Sequence, residues 1–516
     1  MVLHGRSIPL SLGLCVALAA QTAAGQPHEA PPGSALVIIG SAQEYEPPVS
    51  LTIRGTTLEV PFSLVARLDK VGDIVVDRYN TSLGHNGALL PQARLAARFN
   101  TRRAILPLSI LLEYEHDVLT GSTGADPGIT ADGLPNANGL DHELRKAYGR
   151  VSVGYYAHVS AGFMTSHWGL GLVANDGAHG WEPGAANFSD PRGGDRVIRV
   201  MLATGPHTGL GLVAAAGYDW VYEDDVVRTG DRASQAFGSV LLGADRPTTV
   251  GVYGVYRVQQ ARGGADLRVG VLDLYGSVKR RAGQLRLAFA IEGAAIVGKT
   301  TLGATPEFPE QDILQIGVAA RASCGWATYG AILDLLFASG DRNFDDGRQS
   351  AFKTDVNYDM GMILYRHVMA AQTGWATVTA ADAKLAGYPP SDLDRFPTRG
   401  AVSNTVAVFP RLWWRPLFGF EVYGGPLFAF AAVDYADPLS TKVAGGSPRN
   451  ALGGTPTTYL GTELDAGARM RMILAGTELT LGFEGGLLFS GGALMTADGS
   501  GLSTIAGGRA SLSYRF

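Results

Sequence analysis

The last fourteen residues, Ser503-Thr-Ile-Ala-Gly-Gly-Arg-Ala-Ser-Leu-Ser-Tyr-Arg-Phe516, alternate in chemistry from one position to the next. Ala506, Ala510, Leu512, Tyr514 and Phe516 share one face; Arg509, Ser511, Ser513 and Arg515 share the other. Successive side chains of an extended chain point to opposite sides, so this period of two predicts a strand with one apolar and one polar face. The pattern recurs upstream. In 459–472, Leu460, Leu464, Ala466, Ala468, Met470 and Met472 oppose Glu463, Asp465, Arg469 and Arg471. In 478–487, Leu479, Leu481, Phe483 and Leu487 oppose Glu478, Thr480 and Glu484. In 284–295, Leu285, Leu287, Phe289 and Ile291 oppose Arg286 and Glu292.

Eighteen such strands are predicted, at 57–69, 92–100, 105–118, 143–153, 157–165, 195–203, 208–222, 233–244, 248–261, 266–279, 284–298, 311–320, 325–338, 405–416, 418–432, 458–473, 476–489 and 503–516. The composition agrees. Glycine supplies 69 of 516 residues and charged residues only 17%, against a typical ~25%. Mean hydropathy is +0.09, yet beyond the first 25 residues no apolar run suits a spanning helix. The stretch Val200–Tyr218 is interrupted by Gly205, Pro206 and His207, which excludes a polytopic helical protein. A net charge of −5 and a pI near 6.1 provide no basic field for nucleic acid. No repeat of fixed period supports a solenoid. In lipid, only closure of the sheet satisfies every backbone group, so a barrel is favoured over a soluble sandwich.

The N-terminus has the order of a secretory signal. His4 and Arg6 precede the apolar run 8–20, and small residues follow to Gly25, after which cleavage is expected. The expected organisation is a signal peptide over 1–25, an N-terminal periplasmic segment over 26–56 and a barrel over 57–516. Cys15 lies within the apolar run and follows Leu14, which does not suit a lipid anchor. Removing the signal leaves Cys324 as the single cysteine and no intrachain disulfide.

A signal peptide, dyad alternation and the terminal Tyr514-Arg515-Phe516 together resemble the Gram-negative outer-membrane β-barrels. The resemblance implies an all-β, antiparallel transmembrane barrel in the outer membrane, in contact with its lipid and lipopolysaccharide. It also implies that Leu512, Tyr514 and Phe516 form the signal read by the barrel-assembly machinery. Counted back from a periplasmic Phe516, the connections alternate short and long as such barrels require. Short ones include Ser323-Cys324-Gly325, Gly205-Pro206-His207, Arg281-Ala282-Gly283 and Leu474-Ala475-Gly476-Thr477. Long ones fall at 70–91, 119–142, 166–194, 223–232, 299–310, 339–404, 433–457 and 490–502; Arg262-Gly263-Gly264-Ala265 is a short connection on the long side. A strand at 358–366 would make the count odd, so that segment is assigned to the insertion 339–404. An insertion of this length is expected to fold across the mouth or into the lumen.

The segment 338–346, Ala-Ser-Gly-Asp-Arg-Asn-Phe-Asp-Asp, resembles a motif of alginate-export-type outer-membrane proteins. That resemblance implies passage of an anionic polysaccharide through an arginine-bearing lumen. Met164-Thr-Ser-His-Trp-Gly-Leu-Gly171, with Asn175-Asp176-Gly177, is similar to a feature of uncharacterised, mostly myxobacterial outer-membrane proteins, and implies a location alone. Asp341, Asn343 and Asp345 match the opening of a calcium loop, but the glycine is displaced to Gly347 and Phe352 stands where a bidentate Glu is needed. A polar turn is the favoured reading, and no metal or cofactor is expected. Seven of ten histidines, His85, His116, His142, His158, His167, His179 and His207, lie within 85–207 without close ligand spacing. The absence of G-x-S-x-G, P-loop and dinucleotide motifs argues against an enzyme.

The inward charges carry the functional reading. By alternation they are Arg67, Arg286, Arg411, Arg415, Arg469, Arg471, Arg509 and Arg515, with Glu59, Asp69, Glu292, Asp334, Glu421, Glu463, Asp465, Glu478 and Glu484. Both signs occur in similar number, so the lumen is polar and paired. Guanidinium forks suit sugar acids and equally suit salt bridges between neighbouring strands. Arginine outnumbers lysine 35 to 7, weak support for an anionic solute. The expected function is an outer-membrane channel, of porin or export type, for passive passage of polar, anionic or saccharide solutes. The alternative is a non-conducting surface or accessory protein whose long loops bind a partner.

Overall fold

The computed structural model describes residues 50–53, 55–102, 108–120, 140–177, 184–188, 194–207, 209–343, 346–380, 395–474 and 477–515. The expected signal peptide, Asp345, His179 and Phe516 lie outside the described residues. Twenty-one strands join one sheet. A hairpin of β1 (Ser50–Ile53) and β2 (Thr56–Glu59) precedes β3 (Phe62–Val75), β4 (Ser82–Arg102), β5 (Leu108–Thr120), β6 (Leu140–Val153), β7 (Ala157–Thr165), β8 (Arg196–His207) and β9 (Leu212–Glu223). Then come β10 (Arg232–Leu242), β11 (Thr248–Gln260), β12 (Asp266–Ala282), β13 (Leu285–Thr300), β14 (Gln311–Gly325) and β15 (Tyr329–Ala338). After the two-residue β16 (Arg348–Gln349) follow β17 (Thr405–Leu417), β18 (Phe420–Phe430), β19 (Tyr459–Leu474), β20 (Thr477–Ser490) and β21 (Ile505–Arg515).

Eighteen of these, β3 to β15 and β17 to β21, each pair antiparallel with the next, and β21 pairs with β3 to close the barrel. All eighteen predicted strands are present, except that residues 57–59 of the first, Glu59 among them, belong to β2 and not to the barrel strand β3. β2 lies against the lower end of β4, from Arg98 to Thr101, directly below the last β21–β3 pair at Arg515 and Ser63. β16 adds a short parallel contact to β14.

The alternation sorts as anticipated. Val200, Leu202, Tyr218, Trp220, Leu272, Leu274, Val297 and Leu412 point outward and are exposed, as are Leu464, Met470, Leu481 and Leu512. Residues of the opposite parity on these strands point inward and are buried: Arg199, Asp219, Asp273, Glu292, Arg411, Glu463, Arg469 and Arg509. Such a surface is stable only against an apolar solvent, and closure leaves none of the eighteen barrel strands as a free edge.

The departures have local causes. No long loop spans 70–91: β3 runs to Val75, β4 starts at Ser82, and a six-residue turn joins them. Here the inward residues are apolar, Val71, Ile74, Val76 and Leu83, because they pack on inserted chain instead of water, and the polar-in pattern that marks a strand is lost. Leu460 points inward and is fully buried while Tyr459 is exposed. A register shift opposite Ala429 and Phe430 places one extra residue in β19 at Gly461, whose φ of +147° few side chains adopt. One inserted residue reverses the parity of everything before it. Ser323, Cys324 and Gly325 belong to β14, and the corner falls at 326–328. Gly205, Pro206 and His207 likewise end β8.

Between β15 and β17, the segment 339–404 enters the barrel. It contains no strand at 358–366; a π-helical turn at Leu364–Met369 leads directly into α1 (Ala370–Ala380). Phe352, Tyr358, Met360, Ile363, Leu364, Tyr365 and Val368 are buried in one cluster with the inward residues of β3, β17, β18 and β19.

Candidate functional site

The site is the lumen, and two segments of the chain occupy it. The first is the connection from β7 to β8. Trp168 is 2% exposed, stacks on Tyr253 at 5.4 Å and donates from its indole to Asp273 at 3.0 Å. The amides of Leu170 and Leu172 donate to the carboxylate of Glu292, the latter at 3.1 Å. The same connection then meets the opposite wall. Gly184 N–H donates to Glu421 at 2.6 Å. The carbonyls of Ala186, Asn187 and Phe188 accept in turn from Arg411 at 2.7 Å, Arg469 at 2.9 Å and Arg509 at 3.2 Å. Three arginines from β17, β19 and β21 thus hold three consecutive carbonyls of an inserted segment.

The second segment is the insertion. Its amides at Met362, Ile363 and Leu364 converge on the carboxylate of Glu463, at 2.6, 2.7 and 2.8 Å. These are donors that the start of a helical turn leaves without an intrahelical partner, and a carboxylate is well suited to take them. Ile363 rests where a Cβ on Gly486 would come within 3.0 Å of it, so the bare backbone of β20 makes its seat. The insertion also meets the first segment: Phe188 N–H donates to Asp359 at 3.2 Å. At the upper end Asp77, in the turn between β3 and β4, takes the amides of Tyr79 and Thr81 and, at 2.9 Å, the indole N–H of Trp375 from α1. Burial works against the Asp77 charge, but these donors win and hold its carboxyl below the usual range.

The predicted lumen residues now have places. Asp334 pairs with Arg321 at 2.6 Å and with Arg411; Arg415 pairs with Glu421 at 2.7 Å. Glu484 joins Arg469, Arg509 and the Tyr423 hydroxyl. Arg471 pairs with Glu478, which lies opposite Arg515 in the ladder. Arg67 is half-buried on the inner face of β3, while Arg286 is exposed near the lower end of β13. Asp465 is 3% exposed and neither carboxylate oxygen has a hydrogen-bond partner. Leu512 and Tyr514 stand on the outer face of β21 in register with Leu481 and Leu479.

Asp341 accepts from the amides of Asn343 and Ser350 at 3.0 and 2.9 Å, the pattern of a polar turn. Among the described residues no group of three potential ligands gathers for a metal. His158 is buried between Ser152 and the Gly205 carbonyl, and His116 faces His142 at 3.5 Å.

A second charged sector was missed. On β4 to β9, Arg145 pairs with Glu115 at 2.7 Å, Arg94 with Asp117 at 2.7 Å, Lys146 with Glu113 at 3.1 Å and Arg199 with Asp219 at 2.7 Å. Glu113, Glu115 and Asp117 stand two residues apart, so the alternation that identified the other inward charges marks these equally. Above this wall a cavity of about 450 Å³ remains between β8 to β14 and the inserted segments. It borders Asp195, Asp224, Asp225, Lys353 and Asp355 as well as branched aliphatic side chains.

No family model matches the chain, and no curated protein matches its sequence. Its fold is similar to solved structures of Occ/Opd outer-membrane porins. OccK9 (OpdG) of Pseudomonas aeruginosa aligns with a TM-score of 0.52 at 11% identity, over 90% of this chain and 99% of its own. OccK2 (OpdF) of the same organism aligns at 0.51 and 11%, over 89% and 97%. OccAB1 of Acinetobacter baumannii aligns at 0.50 and 10%, over 92% and 99%. These likenesses establish an eighteen-stranded porin-type barrel.

Proposed function

We propose that this protein is an outer-membrane channel for small polar solutes. The observation that carries the reading is a closed barrel with an apolar exterior, whose inward charged face and inserted segments leave a lined cavity between them. The wall offers fixed charges that replace part of a solute's hydration shell, and the two segments set the width of the path. Lipid and lipopolysaccharide surround the outer face, and the aromatic and aliphatic positions of β21 serve the barrel-assembly machinery.

The alginate-export resemblance would make the solute an anionic polymer gripped by the lumen arginines. In this chain Arg411, Arg469 and Arg509 are occupied by Asp334, Glu484, Asp69 and the loop carbonyls, which supports a holding role and a narrow path. A small solute is the reading that fits. Purified protein in planar bilayers tests it: discrete, salt-dependent conductance steps are expected. A barrel that folds and inserts but stays electrically silent would instead support the non-conducting surface protein.

A further inference from the structure

An upper lumen wall of a polar channel has no need of branched aliphatic side chains, yet the inward faces of six strands carry Val197, Val221, Val255, Val269, Ile296 and Ile313 where they border the cavity. Val173 of the first inserted segment and Met369 and Thr373 of the second line the cavity together with this wall. The wall borders a partly open space of about 450 Å³, a volume suited to a small molecule and not to a folded element.

The same cavity is also lined by charged groups. Asp195 precedes β8, Asp224 and Asp225 follow β9, Asp355 comes from the insertion, and Lys353 and Arg257 are the cations among them. Asp224 is committed: Arg257 pairs with it, and the amides of Val226 and Val227 donate to it at 2.8 Å. Arg228 donates to the carbonyls of Val227 and Asp225, at 2.8 and 2.9 Å from its two Nη atoms. Around the whole cavity six aspartates, including Asp341 and Asp437, face three cationic side chains, Arg257, Lys353 and Arg395. Arg395 is already paired with Asp231 at 2.7 Å. Carboxyl groups outnumber cationic side chains in the lining.

The carboxyls register that excess. Burial, then Asp355, Asp224 and Asp225, push Asp195 well above the usual carboxylate range. Burial and Asp225 do the same to Asp355. Burial and Asp224 push Asp225 up to about 6 against the pull of Lys353 and Arg228. Raised in this way the carboxyls hold their protons, and a cation entering the cavity would favour their ionised form and displace a proton.

We propose that this cavity binds a small amphiphilic cation, a primary amine with an apolar body, its ammonium beside Asp195, Asp225 and Asp355 and its hydrocarbon against the valine and isoleucine wall. The proposal rests on the channel reading only for its meaning in transport; binding itself requires only the cavity.

Calorimetric titration of the folded barrel in lipid nanodiscs, corrected with empty discs, tests it with hexylammonium, methylammonium and hexanoate. Hexylammonium is expected to saturate one site, with methylammonium and hexanoate at least tenfold weaker, since each lacks one of the two complementary features. Asp195→Asn with Asp225→Asn is expected to weaken hexylammonium at least tenfold in protein that still shows heat-modifiable migration. Equal affinity for hexanoate, or unchanged affinity in the double variant, overturns the proposal. Should that variant fail to fold, the comparison of three probes on the unaltered protein decides alone. Conductance is read separately: binding by a silent barrel removes the channel reading only, and a conducting barrel that binds no hexylammonium removes this proposal only.

Discussion

Arg509 and Asp69 face each other in the ladder across the seam where the last barrel strand meets the first, with the guanidinium Nε donating to the carboxylate at 2.9 Å. Both are buried, and they stand 440 residues apart in sequence. The pair therefore joins barrel closure to the lumen network, because Arg509 also reaches Glu484 and the Phe188 carbonyl.

Removing one partner of a buried pair leaves the other without compensation, which typically costs about 3–5 kcal/mol. Arg509→Ala is expected to lower the urea midpoint of the barrel in detergent by an amount of that order. Asp69→Asn combined with Arg509→Met removes both charges and is expected to recover much of the loss. A double variant no more stable than Arg509→Ala would show that the seam does not depend on this pair.

The outer face predicts the opposite sensitivity. Leu481 is exposed and opposite Leu512 in the ladder. Leu481→Arg places a charge against hydrocarbon and is expected to cost roughly 2–4 kcal/mol near the membrane midplane. Leu481→Phe keeps the face apolar and is expected to fold as the parent does. Heat-modifiable migration and refolding into liposomes report both, and normal insertion of Leu481→Arg would contradict the register.

Glu463 is the inward anchor of the insertion, since three amides depend on its carboxylate. Glu463→Ala leaves those donors without that acceptor. A closed barrel is expected to survive, with the insertion loosened: larger or noisier conductance, and faster proteolytic cleavage within 339–404 than in the parent. Identical conductance and cleavage would mean that the apolar packing of Ile363, Leu364 and Val368 holds the segment unaided.

The sequence showed the barrel because lipid imposes its demand on every strand, and every strand therefore carries a readable outer face. What it hid lies inside. Val71, Ile74 and Leu83 read as loop because their inward apolar partners, such as Ile363 and Leu364, come from nearly three hundred residues later. Leu460 was assigned to the wrong face because the bulge at Gly461 has no signal in a period of two. Inward charges such as Glu463 were legible as inward, but not as ligands for main-chain amides, since nothing in 339–404 announces which of its donors are left over. The entry of 166–177 and 184–188 into the lumen was likewise invisible, although Trp168 with its buried indole on Asp273 is the residue that ties its start to the wall.

The insertion should also respond to pH, in two windows of opposite sign. Asp225 has its carboxyl pushed up to about 6 by burial and by Asp224. A group raised in the folded state favours that state fully below its unfolded value near 3.9, and this contribution is lost as pH rises through about 6. Asp77 is the reverse case. Its carboxyl is held low in the folded protein, so its contribution is present above the unfolded value and disappears as pH falls through the lower, folded one. Seating of α1 and the segment around it is therefore expected to be firmest between roughly pH 4 and 5 and to loosen on both sides. Hydrogen exchange over Ala370–Ala380, corrected for intrinsic pH dependence, measures this directly. Asp225→Asn is expected to reduce the loss of protection between pH 5 and 7, leaving the share due to Asp355 and Asp195, without altering the acid limb. Asp77→Asn is expected to weaken protection at neutral pH and flatten the acid limb alone. If protection in the parent is constant from pH 4 to 7, these two carboxyls do not govern the seating of the insertion, and the packing of its apolar residues against β3, β17, β18 and β19 must do so by itself.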